Sequence, residues 1–435
     1  MESKKQVGIL GMKILFVCPT SKGINALPLP PLGMLWIAAY VRKNGHEVDA
    51  IDTYIDPNEE LLIDRIKWSD IVGITCPSSH QFEDAKRIGD LCKKYNKPTL
   101  FGGIHATVLP EESAKHFDIV IRGEGENTVL EILNKGSWGD IDGITYKCGD
   151  EIINNPDRKF IGDLDSIPFP ARDLIPPNRY PYRRLKRFDG RYTSILGGRG
   201  CPNKCIFCAS PAMWRYARLR KAEYIFKEMM EIYNNWGIKN IHFHDDTFTL
   251  DRKRVIKLCD LIIESGIDFK WSCITRPDKV DKELLEKMKA GGCVQIEIGA
   301  ESASDKLLRI ANKQYTSTQV KEAFRLANEA DLTTYGYFLI GLPGETLFTW
   351  MKTILFAKSL NLDSSVFTVL SPFPGTKAYE DEMVTILERD CWLYKRPVIR
   401  VGILGPRMLS CMRKIADVLV NGPGYHGAYI RRQEF

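Results

Sequence analysis

The sequence predicts an α/β protein in two parts: an amino-terminal doubly wound parallel sheet, then a partial parallel barrel of six β/α units with a short carboxyl-terminal extension. Three observations carry this reading. At 435 residues the chain exceeds what a single core ordinarily holds. Short β-rich runs alternate with amphipathic stretches over residues 1–142 and again over 188–380, the rhythm of parallel strands joined by crossover helices. Between them, residues 143–187 hold a hairpin signal and the Pro-rich segment DSIPFPARDLIPPNRYPY, where proline forbids regular elements and marks a linker.

In chain order, KILFV (13–17), EVDAID (47–52), IVGIT (71–75), TLFGG (99–103) and IVIRG (119–123) read as the strands of the first sheet. Helical patterns such as GMLWIAAYVRKNG, stopped by Asn44-Gly45, and FEDAKRIGDLCKKYN separate them. An open parallel sheet takes ligands at the carboxyl ends of its strands, here Cys18-Pro19-Thr20, Cys76-Pro77-Ser78-Ser79, Gly102-Gly103-Ile104-His105 and Gly123-Glu124-Gly125-Glu126. GITYK and EIINN flank Cys148-Gly149-Asp150 as a hairpin. The second series runs YTSIL (192–196), IKNIHFH (238–244), FKWSCI (269–274), VQIEIG (294–299), TYGYFLI (334–340) and SVFTVL (365–370), with helical stretches between. Six units make a barrel shorter than the closed eight-unit form. Residues 381–435 carry no motif.

Composition narrows the function. Hydrophobic residues make up 44% and charged residues 27%, ordinary for a globular protein. The net charge of +6, from 61 basic and 55 acidic residues spread along the chain, gives no nucleic-acid footprint. The start MESKKQVGIL lacks an apolar h-region, and no stretch is long and apolar enough to span a membrane. The expectation is a cytoplasmic enzyme or binding protein. Twelve cysteines in a chain without an export signal point to metal or redox chemistry before disulfides. Nine of them are scattered, mostly in apolar surroundings, and read as buried small hydrophobes.

The other three stand together. RGCPNKCIFC (199–208) spaces Cys201, Cys205 and Cys208 as C-x3-C-x2-C, just past the first barrel strand, where barrel chemistry sits. Soft thiolates select zinc, copper(I) or iron–sulfur clusters. Zinc needs a fourth ligand nearby, and the next histidine, His242, lies on a separate unit. A cluster with one iron left open is the alternative, and the coincidence with a barrel pattern favours it.

This loop, with Phe207 before its third cysteine, resembles the signature of the radical S-adenosylmethionine enzymes. The resemblance implies a 4Fe-4S cluster on Cys201, Cys205 and Cys208 whose open iron chelates S-adenosylmethionine, to be split to a 5′-deoxyadenosyl radical by one electron from a flavodoxin- or ferredoxin-like reductant. It also implies a ring of S-adenosylmethionine contacts at the strand ends: Phe207 in the loop, Asp246 for the methionine moiety, Arg276 for its carboxylate, Glu301 and Ser302 for the ribose, Ile340 and Gly341 for the adenine, and Phe373 beyond the sixth strand. It spans about residues 190 to 380.

The first domain resembles the Rossmann-like cobalamin-binding module fused to one branch of these enzymes, through Pro30-Pro31-Leu32-Gly33, Gly45-His46-Glu47-Val48, Gly102 to Thr107 and Arg122 to Glu126; Pro168 to Leu174 matches that branch's linker. The cobalamin contacts it implies are Leu32, Gly33, Ser78, Ser79, Gly102, Gly103, His105, Gly123 and Glu124, with glycines 102 and 103 admitting a nucleotide tail. The histidine motif D-x-H-x-x-G is missing from PTSKGINALPLPPLG, so cobalt has no histidine from that loop. The lower cobalt face is then either vacant or met by some other group, and the resemblance implies methyl transfer to an unactivated carbon of a small-molecule, lipid or peptide substrate. Oxidative cyclisation is the sister activity of the branch. A methylthiotransferase would need a third amino-terminal ligand beside Cys18 and Cys76, and Cys92 and Cys148 fall in a helix and a hairpin. A non-catalytic iron–sulfur carrier would close its cluster with a fourth cysteine.

Overall fold

The computed structural model describes residues 11–20, 29–76, 81–135, 138–180, 188, 190–387 and 398–422. They fall into two compact units that divide after Tyr180.

The first unit is built on β1 (Lys13–Cys18), α1 (Leu32–Lys43), β2 (Glu47–Asp52), α2 (Glu59–Trp68), β3 (Ile71–Thr75), α3 (Phe82–Lys94), β4 (Thr99–Gly102), β5 (Ile119–Ile121) and α4 (Glu126–Lys135). β6 (Ile144–Cys148) and β7 (Glu151–Asn154) follow. The order is β2-β1-β3-β4-β5-β6-β7, parallel through β5 and antiparallel at the last two. The expected hairpin is therefore the edge of the sheet, not a separate connector. Alternation along β1 explains the doubly wound form: Ile14 and Phe16 enter one core with Leu35 and Val129, while Leu15 and Val17 enter another with Ile66 and Ala85. Both faces are covered, as a parallel sheet requires. The strand order reverses between β2-β1 and β3, and that switch point is where an open sheet takes a ligand.

The second unit carries β8 (Tyr192–Ile195), α5 (Ala222–Trp236), β9 (Asn240–Phe243), α6 (Arg252–Glu264), β10 (Lys270–Thr275), α7 (Lys282–Ala290), β11 (Cys293–Glu301), α8 (Ser317–Glu329), β12 (Thr333–Ile340), α9 (Leu347–Ser359) and β13 (Ser364–Val369). The sheet runs β13-β12-β11-β10-β9-β8, parallel throughout. It is the six-stranded partial barrel. One core gathers Ile241, Phe243, Trp271, Ile296 and Phe338 from the helix-facing side. The alternate residues His242, Ser272, Glu297 and Tyr337 therefore point to the opposite, barrel-facing side.

The extension that carried no motif adds an antiparallel pair, Val384–Ile386 with Ile399–Val401, and α10 (Pro406–Asn421). α10 buries Leu409, Met412 and Ala416 in the same core, and Asn421 accepts from Ser365 N and Oγ at 2.9 Å each.

Candidate functional site

The cysteine loop leaves β8 under close steric control. Gly200 sits at φ +85°, and a Cβ there would stand 2.7 Å from Trp214 and 2.8 Å from the Tyr216 carbonyl. The loop is fastened at both flanks: Ile206 N donates to Ala311 O at 3.2 Å, Asn312 Nδ2 to Lys204 O at 2.7 Å, and Ala378 N to Ile206 O at 2.8 Å. Cys201, Cys205 and Cys208 are all half-buried. Burial pushes the Cys208 thiol up to about 12 and raises that of Cys205. Asn203 Nδ2 donates to Cys201 Sγ at 3.2 Å and Ser210 N to Cys208 Sγ at 3.4 Å, bonds of the kind that tune a cluster's sulfurs. Among the described residues no group of three or more His, Cys, Asp or Glu side chains converges on one ion. Three half-buried thiols on one fixed loop, two of them accepting hydrogen bonds, are a donor set that fits an iron–sulfur cluster with one iron left open.

Around this loop the strand ends assemble a charged rim. Asp246 accepts from Ser210 Oγ at 2.6 Å, and burial raises its carboxyl. Its neighbour Asp245 has a supporting role: it accepts from Gly197 N at 2.6 Å and pairs with Arg254 at 3.3 Å. Glu301 adopts φ +60°, a conformation uncommon outside glycine and worth attention at a site. Its carboxylate meets Lys313 Nζ at 2.8 Å, both residues buried. Gly299 makes room, since a Cβ there would lie 2.8 Å from Glu301 Oε1. The Lys313 ammonium stands over the Phe207 ring at 5.2 Å and the Tyr315 ring at 5.4 Å. Burial alone would lower its pKa, but Glu301, Tyr315 and Cys205 together raise it, so it stays charged.

The rim departs from the sequence reading at several points. Arg276 does not present a free fork: it meets Asp278 at 2.9 and 3.2 Å and donates to Lys313 O at 2.7 Å, so it holds Lys313 in place. Ser302 is wholly buried, its hydroxyl 3.2 Å from Thr353 Oγ1 and accepting from Ser304 N at 3.2 Å. Ile340 O accepts from Leu370 N at 2.7 Å, and the buried Glu345 carboxylate accepts from Gly341 N, tightening the turn. Phe373 is half-buried beyond β13. Lys313 and Tyr315 escaped sequence reasoning because they lie on a crossover segment, away from any strand end. The barrel-facing layer escaped it too. There His242 Nδ1 and Ser272 Oγ are 2.8 Å apart, and Tyr337 Oη and Gln295 Nε2 donate to Glu297 at 2.5 and 2.8 Å.

In the first unit, Thr107 Oγ1 accepts from Gly123 N at 3.0 Å and donates to Gly103 O at 2.9 Å, tying together the loops after β4 and β5. Gly103, at φ +109°, is required by the chain itself: a Cβ would stand 2.5 Å from Cys76 O. Gly102 meets only Ile121 Cβ at 3.9 Å, and Gly33, on the first turn of α1 beside buried Leu32, opens onto nothing within 4 Å. Gly123 is at φ +73°, and Glu124 accepts from Ile161 N at 2.7 Å. His105 is fully buried and stacked on Phe82 at 4.0 Å; burial, aided by Lys86, lowers its pKa to about 4, so the imidazole is neutral. Ser78 and Ser79 lie outside the described residues. The small residues at the carboxyl ends and the open first turn of α1, beside the switch point, fit a bulky ligand there.

Similarity to known proteins agrees with both units. The Radical SAM superfamily profile matches residues 195–357, and the B12 binding domain profile matches residues 26–133. An uncharacterized methyltransferase of Pyrococcus horikoshii is 35% identical over 85% of this chain and 83% of its own. The chain belongs to the cobalamin-binding radical S-adenosylmethionine enzymes. Its cofactors are accordingly a 4Fe-4S cluster, S-adenosylmethionine and cobalamin. An anaerobic magnesium-protoporphyrin IX monomethyl ester cyclase of Cereibacter sphaeroides is 29% identical over 98% of this enzyme and 71% of its own length. The fold is shared with the radical S-adenosylmethionine methyltransferase TsrM from Kitasatospora setae, solved with cobalamin and a 4Fe-4S cluster (TM-score 0.72, 19% identity, 86% of this chain and 80% of that one).

Proposed function

We propose that this enzyme transfers a methyl group to an unactivated carbon of a small-molecule, lipid or peptide substrate. The observation that carries the proposal is the fixed loop of three thiols at the mouth of an open parallel sheet, on a chain with a cobalamin-binding domain. When bound, the three cofactors supply a carbon-centred radical and a transferable methyl group. Cys201, Cys205 and Cys208 would hold the cluster and leave one position open. Phe207 would wall the site. Lys313, held charged by Glu301 and Arg276, would meet the carboxylate of S-adenosylmethionine, and Asp246 its ammonium group. Glu301 would exchange part of its bond with Lys313 for the ribose hydroxyls. Ile340 and Gly341 would line the adenine position with backbone, and Phe373 would close the far side; Ser302 would support Glu301 from behind. In the first unit the opening at Leu32 and Gly33, the loops at Gly102 and Gly123, and the Ser78-Ser79 segment would hold cobalamin. Gly103, His105 and Glu124 would shape those loops from within. An external flavodoxin- or ferredoxin-like protein would deliver the electron, in the cytoplasm.

Anaerobic reconstitution with iron, sulfide and cobalamin, followed by assay with S-adenosylmethionine, tests this. 5′-Deoxyadenosine formation well above that of Cys201→Ala, and binding of hydroxocobalamin, are expected. Formation no faster than in the variant would overturn the radical chemistry; failure to take up cobalamin would overturn methyl transfer alone. Oxidative ring closure is the second reading, favoured by the match to the cyclase over nearly the whole chain. A product heavier by one CH2 indicates methylation, and one lighter by two hydrogens indicates ring closure.

A further inference from the structure

Water is left facing an unusual amount of apolar side chain on one side of the second unit. α9 buries Trp350, Ile354 and Ala357 in the unit's core and turns Leu347, Phe348, Met351 and Leu355 outward. α10 packs beside it, buries Leu409, Met412 and Ala416 in the same core, and turns Met408, Ile415, Val418 and Leu419 outward. Because the two helices pack side by side, their outward faces are neighbours on the surface of the unit. Phe348 is 79% exposed and Ile403, in the turn leading into α10, is 80% exposed. Isolated exposed hydrophobics need no explanation, but a contiguous two-helix patch marks an interaction surface.

Charge decides what kind of surface this fits. The two helices carry five basic residues, Lys352, Lys358, Arg407, Arg413 and Lys414, against a single acid, Asp417. That acid is buried and paired with Arg413 at 3.4 Å. At 100° per residue, Lys358 and Lys352 flank the apolar centre of the outward face of α9, and Arg407 and Lys414 line one edge of that of α10. A second copy of the chain is a poor occupant, since a two-fold contact sets each patch against itself and brings these cations together with no exposed acid on either helix to pair them. An apolar centre with basic edges is how a helix lies in the headgroup layer of a bilayer, its lysine stems reaching out to the phosphates. No helix among the described residues is long and apolar enough to cross a membrane.

We propose that the outward face of α9 and α10 docks this enzyme on the surface of an anionic lipid bilayer. Apolar side chains enter the acyl boundary and the flanking Lys and Arg side chains contact lipid phosphates. This surface stands independently of the methyl-transfer reading.

The test is flotation of the full, cluster-loaded chain with two sets of vesicles, phosphatidylcholine alone and phosphatidylcholine mixed with phosphatidylglycerol. Binding is expected to the mixed vesicles only, and to weaken as salt screens the charges. Phe348→Gln with Leu355→Gln, or Lys352→Glu with Lys414→Glu, should each weaken binding by about tenfold or more, from the apolar contact and the lipid charge respectively. All four positions are exposed, so thermal midpoint and cluster absorbance should stay unchanged, which separates lost docking from lost fold. No binding to either vesicle, or equal binding to both, would overturn the proposal. So would a concentration-dependent dimer that the same variants abolish, since that would assign the face to a second copy.

Discussion

At the scale of single residues the candidate site contains a buried ion pair that no motif announces. Replacing Lys313 by Met strands the Glu301 carboxylate in a site where both partners are buried; loss of one partner of such a pair costs about 3–5 kcal/mol. Lys313→Met is expected to unfold earlier in denaturant, with Glu301→Gln added to it restoring most of the loss. Affinity for S-adenosylmethionine, read from the perturbation of the cluster's EPR signal, should stay weak in both, which separates a role toward the ligand from a role in stability. Glu345 gives a pH signature. Burial, opposed by the Gly341 and Leu342 amides, raises its pKa from 4.5 to about 7. The folded chain therefore holds this proton more tightly than the unfolded one. The stability this adds is complete below about pH 4.5 and lost as pH rises through 7, at up to ~1.4 kcal/mol per unit. Denaturant midpoints across that window should fall less steeply in Glu345→Gln. The candidate cluster cysteines were legible because the three are neighbours in one loop of the sequence. The partners of Arg276 were not legible, because sequence shows that a cation is present but not that Asp278 and the Lys313 carbonyl engage it.

Single elements were read well wherever a local pattern fixes them. All eleven strands expected in the two sheets form, each within two residues of its expected start and end, because β-branched runs bounded by turn residues report burial on a pleated surface. What a strand's neighbours demand was less visible. Gly103 looked like an opening for a ligand, yet the nearest obstacle to a side chain is Cys76 O at 2.5 Å. Gly103→Ala, at φ +109°, is expected to destabilise the first unit by more than about 1 kcal/mol. Gly33→Ala, with open space on α1, should raise stability by ~0.4–1 kcal/mol. Thermal unfolding of both variants without cobalamin checks the pair. The hairpin at 144–154 was read correctly as a hairpin, but its place as sheet edge follows from the pairing of β5 with β6, a long-range contact.

For the molecule as a whole, the proposed chemistry predicts a division of labour between the cofactors. Chelating iron should abolish both 5′-deoxyadenosine and methylated product. Withholding cobalamin should abolish only the methylated product, measured by mass spectrometry of an anaerobic turnover with a candidate substrate. A product formed at full rate without cobalamin would count against methyl transfer. The sequence by itself determined the two α/β units and the cluster loop, because hydrophobic period, turn chemistry and close ligand spacing are all local properties of the chain. Only the tertiary structure decided that Lys313 pairs with Glu301 beside the cysteine loop, that Arg276 meets Asp278 and Ser302 meets Thr353, and that α9 and α10 turn an apolar, basic-edged face outward. Those facts depend on which distant segments meet, and a side chain's role at a site is set by the partners that folding brings to it.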